Sequence, residues 1–258
     1  RDRFMTSAYV YARPQVSTGV RQRSGCAQCH AHEFTFCHAL AKATAMSGLR
    51  MLGPTPDVHT VAPRRIICRE QDVLAHVPVI CSGWAASAVM LSDGSRQILS
   101  FLLPGDLVST ALLFEPKPNC FVEAITKVTY RAFNRTDLKV AMFSDPDTAA
   151  QLAHLWIDEK RRADETIVDL GRRSASERIA RLILGLVERL QNRNMTMGGA
   201  FEVEFPLRQH HIADATGLTP VHVSKLLSEF RRNGLIRLSE RSLAILDLAG
   251  FRAVADVR

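Results

Sequence analysis

The stretch from Gln209 to Ser228, QHHIADATGLTPVHVSKLLS, restricts the fold of this chain more than any other stretch does. Ala213 supplies the small side chain that two steeply crossing helices need, and Gly217 supplies the positive φ of a tight turn between them. Thr219 and Pro220 suit the N-cap and the first turn of the second helix. The stretch therefore predicts a helix-turn-helix. Its predicted inward-facing residues are Ile212, Leu218, Val223, Leu226, Leu227 and Phe230.

The second predicted helix has two distinct faces. Its apolar residues from Val223 to Phe230 recur at i, i+3, i+4 and i+7, so they form one buried stripe. The opposite face is free to enter a major groove, where side chains contact base edges. The residues predicted to meet the bases are Val221, His222, Ser224, Lys225 and Ser228. The phosphate contacts predicted nearby are Arg208, Arg231 and Arg232.

The flanking residues favour a DNA reader over the alternative, which is an amphipathic helix pair with an unrelated role. After the helix stop at Asn233–Gly234, two short apolar runs, 235–238 and 242–246, enclose a polar turn and predict a small hairpin, or wing. From Gly171 to Arg258 the chain has 14 Arg and Lys against 9 Asp and Glu, which gives +5 of its formal net charge of +7. This positive charge lies where contacts with phosphate groups would be needed.

The composition of the whole chain, 47% hydrophobic and 23% charged over 258 residues, is typical of a soluble globular protein. No run approaches the roughly 18 apolar residues that a membrane span requires, and the N-terminus lacks the apolar core of a signal peptide. We therefore expect a cytoplasmic protein without membrane contact. The basic net charge favours polyanionic partners.

Residues 26–40, CAQCHAHEFTFCHAL, hold the densest set of metal-ligand side chains in the chain, three cysteines and three histidines. Cys26 and Cys29 have the C-x2-C spacing that lets two thiolates bind one metal centre, and Cys37 follows. In a reducing compartment such a cluster favours metal or redox chemistry over disulfides. Residues 1–25 show no sustained period and predict a flexible leader.

The spacing of this cluster leaves four interpretations open. An iron–sulfur cluster needs a fourth ligand from elsewhere in the chain. A zinc ion could be bound locally by the three cysteines and one of the histidines. The pattern from Cys26 to His30 also matches covalent haem attachment, which is disfavoured because it requires export and no export signal is present. The fourth interpretation is a reduced stretch without metal.

Between Val58 and Phe133 the pattern changes to short strands separated by turns. The clearest hairpin runs from 88 to 103, and a further strand pair is predicted from Phe121 to Phe133. This spacing predicts an antiparallel β-roll. A metal-dependent enzyme of similar architecture is excluded, because the roll carries only His59 and His76 and no close His/Glu set.

From Asp145–Pro146 onward the period becomes helical for about 25 residues. An apolar stripe along it favours a helix that pairs two subunits, and the alternative is packing on its own domain only. The run from Asp158 to Arg162 is predicted to be solvated. Ser174 and Glu177 have the spacing of a capping box, which opens a new helix. The predicted stripe consists of Ala149, Leu152, Ala153, Trp156, Ala163, Ile167 and Leu170.

In this order, these elements resemble the Crp/Fnr family of bacterial transcription regulators. The resemblance covers about residues 26–250 and is carried by SGWAASAVMLSDGSRQILSFLLPGDL, GRRSASERIARLIL and GLTPVHVSKLLSEFRRNGLI. It implies an α+β fold with an N-terminal cyclic-nucleotide-binding-like β-roll, a long dimerisation helix and a C-terminal winged helix-turn-helix. The expected divisions are a leader (1–25), a cysteine cluster plus β-roll sensor domain (26–144), a dimerisation helix (145–173) and a DNA-binding domain (174–258).

The resemblance also implies partners and a function. The expected partners are a second copy of the chain, double-stranded DNA with a roughly palindromic site, and RNA polymerase. The expected function is sequence-specific regulation of transcription. The alternative is a metal-binding or redox enzyme whose C-terminal domain serves only interaction. No Ser/His/Asp set, phosphate loop or carboxylate pair in the sequence supports this alternative.

The chain departs from the cyclic-AMP branch of the family at the positions that bind the effector. Thr110 occupies the place of a Glu that binds the ribose in that branch. Pro118–Asn119 stand in place of an Arg–Ser pair that binds the cyclic phosphate. A pocket without this arginine leaves the phosphate charge uncompensated, so no cyclic nucleotide is expected as effector.

The oxygen-responsive FNR-type branch of the family suggests a different signal. Cys26, Cys29 and Cys37 fit its C-x2-C-x7-C spacing, which implies an iron–sulfur cluster and a response to oxygen or redox state. That branch takes its fourth cysteine from a late strand of the roll, where this chain has Tyr130. Cys120 or a histidine would therefore have to be the fourth ligand.

The recognition helix departs from the FNR-type pattern as well. That pattern has Glu, Ser and Arg where this chain has Val221, Ser224 and Lys225. Loss of the Glu removes an acceptor for a cytosine amine, and Lys lacks the bidentate geometry of Arg at guanine. We therefore expect a DNA target that differs from the usual FNR site.

Overall fold

The computed structural model describes residues 57–197, 199 and 201–256 of the 258-residue chain. The predicted leader over 1–25 and the cysteine-rich stretch over 26–40, with Cys26, Cys29 and Cys37, lie outside the described residues. The described part contains a β-roll, a long helix and a winged helix-turn-helix in that order, so the predicted α+β fold is confirmed.

The roll consists of two antiparallel sheets that pack face to face. One sheet has the strand order β1-β7-β3, and the other has the order β2-β6-β4-β5. Apolar side chains from both sheets fill the space between them, as expected when inward and outward residues alternate along a strand. The strands are β1 (Asp57–Val61), β2 (Ile66–Cys68), β3 (His76–Ser82), β4 (Ala85–Met90), β5 (Arg96–Leu102), β6 (Phe121–Ala124) and β7 (Val128–Asn134).

The prediction of a strand pair from Phe121 to Phe133 is wrong, because β6 and β7 belong to different sheets. The chain changes sheets through Ile125 and Thr126, whose backbone N–H groups both donate to the carbonyl of Trp84, at 2.8 and 3.2 Å. Gly83, with φ of 81°, allows this close approach, because a Cβ atom there would overlap the carbonyl oxygen of Lys127. Such a long-range contact leaves no periodic signal in the sequence.

Helices follow the roll and lead into the second domain. No helix among the described residues combines the length and apolar character needed to cross a bilayer. The elements are α1 (Arg135–Ser144), α2 (Pro146–Arg172), α3 (Ala175–Gln191), β8 (Glu202–Glu204), α4 (Gln209–Thr216), α5 (Pro220–Arg232), β9 (Ile236–Leu238), β10 (Ser242–Ile245) and α6 (Leu248–Val254), together with a short 3-10 helix (Thr110–Leu113) in the roll.

The apolar stripe predicted along the long helix α2 does not lie on one surface. One part of it packs on the roll, and another part is exposed. Leu152 is buried in the core of the roll, whereas Trp156 and Ile167 are 65% and 69% exposed. The run from Asp158 to Arg162 is likewise not solvated throughout, since Glu159 and Arg162 are half-buried. Both lie on the Leu152 face because residues three or four apart share one side of a helix.

Strand β4 is buried on both faces and joins the two domains. Ala85 contributes to the core of the roll, and its neighbours Ala86 and Ala88 contribute to a second core that is shared with α3, α4 and α5. Trp84, just before β4, packs edge-on against Phe205, with ring centroids 6.3 Å apart. The small alanine side chains let the second domain pack closely on the sheet.

A buried carboxylate ties the roll to α3. Asp106 is 7% exposed and accepts hydrogen bonds from Arg189 (2.5 Å) and Arg193 (2.6 Å), and from the backbone N–H of Leu103 (2.7 Å). Burial alone would raise the pKa of Asp106, but Arg189 and Arg193 outweigh it and lower the pKa below its usual value. The carboxylate therefore stays ionised and fixes the last turns of α3 to the roll.

We predict that Asp106→Ala lowers the free energy of unfolding by about 3–5 kcal/mol, because the substitution leaves two arginines beside the roll without their carboxylate. Chemical denaturation followed by circular dichroism measures the change. The control is Glu204→Ala, which removes an exposed ion pair with Arg241 and should cost about 0–1 kcal/mol. Equal effects of the two substitutions would contradict the prediction.

Candidate nucleic-acid interface

The helix-turn-helix has the geometry that its sequence predicts. Gly217 ends α4 with φ of 66°, and the N–H of Leu218 donates back to the carbonyl of Ala213 at 3.1 Å. The Thr219 hydroxyl then caps α5 by accepting from the N–H of His222 at 3.2 Å. The turn at Gly217 and the cap at Thr219 are therefore confirmed.

Helix α5 separates its buried stripe from an exposed face. Val223, Leu227 and Phe230 are buried, and Leu226 is half-buried. Val221 is 79% exposed on the other side. Of the residues predicted to meet bases or phosphates, His222, Lys225, Arg231, Arg232 and Arg208 are exposed, and Ser224 and Ser228 are half-buried.

Two hydroxyls of the exposed face are held by hydrogen bonds inside the reader. Gln209, at the start of α4, donates to the Ser224 hydroxyl at 3.1 Å, and Arg231 donates to the Ser228 hydroxyl at 3.2 Å. Sequence reasoning did not identify Gln209. The one signal that could have identified Gln209 is its position as the first residue of α4, because the start of α4 lies beside α5.

The start of α4 is held by a histidine that stays neutral. The backbone N–H of Arg208 donates to Nδ1 of His211 at 3.0 Å, so this nitrogen must be unprotonated. Burial, together with the nearby positive charges of His210, Arg96 and Arg208, lowers the pKa of His211 to about 3. The ring therefore remains an acceptor across the physiological pH range and keeps Arg208 at the edge of the reader.

The predicted wing is a small antiparallel sheet with the strand order β8-β10-β9. Its exposed arginines, Arg237 and Arg241, are paired with Glu202 (3.5 Å) and Glu204 (3.2 Å). Such exposed ion pairs are weak, so both arginines can exchange these partners for a phosphate at little cost.

The reader also contacts the roll through polar groups. Arg96 of β5 forms ion pairs with Asp214 of α4 and with Glu123 of β6, each at 2.7 Å. Gln97 donates to the carbonyl of Ala215 at 3.4 Å. These contacts join a sheet of the roll to the first helix of the reader.

Thr110, which replaces the ribose-binding Glu of the cyclic-AMP branch, is hydrogen-bonded to another residue of this chain. The Thr110 hydroxyl and backbone N–H both donate to the carboxylate of Glu159 on α2, at 2.6 and 3.1 Å. The Ser109 hydroxyl donates to the same carboxylate at 3.3 Å. A negative charge from the long helix therefore lies beside Thr110. Sequence reasoning missed Glu159 because it stands within a run of charged residues.

Cys120 is the described member of the predicted metal-ligand set. Its side chain is buried, and burial, followed by the charges of Glu70 and Glu159, raises the pKa of its thiol to about 11. Burial, with the charge of Cys120 as a smaller contribution, raises the pKa of Cys68 to about 12. Among residues 57–197, 199 and 201–256, no group of three or more His, Cys, Asp or Glu is placed to bind a metal ion.

The place of the fourth cysteine in the FNR-type branch is occupied by an aromatic pair. Tyr130 of β7 lies directly opposite His59 of β1, and their rings stack with centroids 5.0 Å apart. Burial raises the pKa of the Tyr130 hydroxyl, which disfavours a tyrosinate ligand. His59 is half-buried at the edge of this sheet.

Comparison with known protein families assigns both domains. Residues 58–145 match the cyclic nucleotide-binding domain, and residues 177–254 match the Crp-like helix-turn-helix domain. A roll of the first type joined to a reader of the second type defines a DNA-binding transcription regulator.

Similarity to individual proteins shows which family of transcription regulators the chain resembles. The nitrogen fixation regulation protein FixK of Bradyrhizobium diazoefficiens is 32% identical over 187 residues, which cover 72% of this chain and 76% of that protein. The transcriptional activator protein FnrL of Cereibacter sphaeroides is 29% identical over 69% of this chain and 72% of its own. The solved structure of FixK2 from Bradyrhizobium japonicum has a TM-score of 0.69 at 27% identity and covers 78% of this chain and 97% of its own. This chain belongs to the Crp/Fnr family of transcription regulators.

Proposed function

We propose that the protein regulates transcription as a homodimer that reads a roughly palindromic DNA site with Val221, His222, Ser224, Lys225 and Ser228. The observation that carries the proposal is the exposed face of α5, which projects polar and basic side chains away from a buried stripe. Arg208, Arg231 and Arg232 are exposed on either side of that face, where phosphate groups would pass. RNA polymerase is the proposed partner on DNA.

We predict that Ser224→Ala and Lys225→Ala each reduce discrimination between the best selected site and its single-base variants by about 1–3 kcal/mol, because each removes a contact to a base edge. Competition binding measures the discrimination. The control is Lys139→Ala, which removes a basic residue of α1, outside the reader, and should leave specificity unchanged. Full specificity in both reader variants would contradict the assignment of α5.

The homodimer proposal is supported by the exposed apolar face of α2. Trp156, Ile157, Ile167 and Val168 are all exposed on this helix, and exposed apolar residues that cluster on one helix often mark an interaction surface. Pairing of this face with the same face of a second copy would bury it in an isologous interface.

We predict that the wild-type protein sediments at about twice the chain mass of 28.7 kDa and that Trp156→Glu sediments as a monomer, because a charge in a closed apolar interface is costly. Phe143→Glu is the control, since Phe143 is 80% exposed but lies on α1. Monomeric wild-type protein would contradict the proposal.

We further propose that the roll does not respond to a cyclic nucleotide. The carboxylate of Glu159, bonded to Thr110, would repel a cyclic phosphate. Pro118 and Asn119 offer no positive charge to compensate for it. The family match to a cyclic nucleotide-binding domain therefore describes the architecture of the roll.

We predict that cyclic AMP leaves the Kd for the selected DNA site unchanged within about twofold, because a ligand that the pocket repels cannot shift the equilibrium between its states. Fluorescence anisotropy with and without the nucleotide measures this, and calorimetry tests nucleotide binding directly. A tighter Kd in its presence would show that the pocket binds the nucleotide despite Glu159.

The signal that we propose is oxygen or redox state, sensed by an iron–sulfur cluster on Cys26, Cys29 and Cys37. The support is the C-x2-C-x7-C spacing together with similarity to FnrL and FixK. Cys120 is the proposed fourth ligand, with His59 as the other candidate. A cysteine thiolate is a suitable ligand for such a cluster, but the Cys120 thiol is buried and its pKa is raised. Binding of the metal would have to displace the thiol proton.

We predict that protein purified without oxygen contains iron and acid-labile sulfide and that its visible absorption bleaches in air, because a cluster that senses oxygen must be altered by it. Cys120→Ala should lower the iron and sulfide content, and Cys81→Ala is the control. A colourless anaerobic protein without iron would refute the cluster.

A further inference from the structure

A cleft lies where the roll, α2 and α3 meet. It has a volume of about 360 Å³ and is lined by β5, by the second half of α2, by α3 and by the end of α4. This volume is within the range of small-molecule sites. The cleft is separate from the surroundings of Thr110, since neither Thr110 nor Glu159 lines it.

The cleft contains positive charge that is not neutralised locally. Arg161 and Arg181 line it but are ion-paired with Glu165 and Asp169. Arg162 also lines it, is half-buried, and forms no ion pair or side-chain hydrogen bond within the described part of the chain. A half-buried guanidinium without an acceptor is costly unless water or an anion meets it.

A second guanidinium, that of Arg189, lines the same cleft. Arg189 donates to the Phe101 carbonyl at 3.0 Å and to Asp106, but its Nε is buried and has no partner among the described residues. Burial, together with repulsion from Arg193 and Arg162, lowers the pKa of Arg189 to about 10 despite the attraction of Asp106. Arg162 and Arg189 both line the cleft, and an anion bound beside them would relieve the repulsion between their charges.

Apolar side chains line another part of the cleft, beside the polar side chains of Thr166, Glu188 and Asn192. Phe101, Leu170 and Leu182 contribute side chains from β5, α2 and α3. A ligand with a charged group at one end and an apolar body at the other would satisfy both parts of the cleft. A fully hydrated inorganic ion would leave the apolar part unfilled.

We propose that this cleft binds a small organic anion, whose acidic group pairs with Arg162 near the charge of Arg189 and whose apolar body packs on Phe101, Leu170 and Leu182. The acidic group can be a carboxylate, phosphate or sulfonate, because each offers oxygen acceptors for a guanidinium.

Such a ligand would contact both helices on either side of the joint at Arg173–Ser174, where α2 ends and α3 begins. It would therefore fix the angle between the pairing helix and the reader, and would change DNA affinity. This consequence rests on the proposed function, whereas binding itself does not.

The test uses the full chain and the fluorescent probe 1-anilinonaphthalene-8-sulfonate, which combines a sulfonate with an aromatic body. Wild-type protein should bind the dye saturably, and Arg162→Gln should weaken binding about tenfold or more because a charge-assisted hydrogen bond is lost. Arg172→Gln, which removes an exposed arginine of the same helix that does not line the cleft, is the control and should stay within about twofold. Arg162→Lys should retain most of the affinity, because it keeps the charge.

Competition separates the cleft from other apolar surfaces. Benzoate should displace the dye from the wild type, whereas acetate at the same concentration should not, because acetate lacks an apolar body. Dye binding that is absent in the wild type, unchanged by Arg162→Gln or insensitive to benzoate would overturn the proposal. The assay contains no DNA, so its failure is distinguishable from failure of the reader to bind DNA.

Discussion

The arrangement of the two domains depends on the buried ion pairs of Asp106. This carboxylate terminates a tight turn of the roll through the Leu103 N–H and binds two arginines of α3. An unpaired charge in this place would be strongly destabilising, so the turn and the helix must meet in one geometry. That geometry places β4 against the reader, fills the shared core around Trp84 and Phe205, and brings Arg96 to Asp214. The reading face of α5 is positioned by the same contacts.

Local signals in the sequence predict much of the fold. Gly217, Thr219 and the Ser174–Glu177 capping box each act within one turn of a helix, and the structure has all three. Contacts between distant residues leave no comparable signal. Asp106 lies 83 and 87 residues from its arginine partners, and the crossing of β6 and β7 between sheets depends on Gly83 meeting Lys127.

The candidate sites also divide into those that local sequence signals predict and those that depend on contacts between distant residues. The exposed side of α5 follows from helical periodicity, because Val223, Leu227 and Phe230 fix which face is buried. The Glu159–Thr110 bond and the cleft at Arg162 were hidden in a run of charged residues that suggests a solvated surface. Their positions depend on which face of α2 packs on the roll, and this is set by Leu152 together with the shape of the roll.

Selection of binding sites from random double-stranded DNA tests the central claim most directly. A dimer that presents two copies of α5 should enrich two inverted half-sites whose centres lie about one helical turn, roughly 10 base pairs, apart. Footprinting should protect both half-sites together. Enrichment of a single unrepeated half-site, or of no sequence at all, would contradict the account of the protein as a dimeric reader of palindromic DNA.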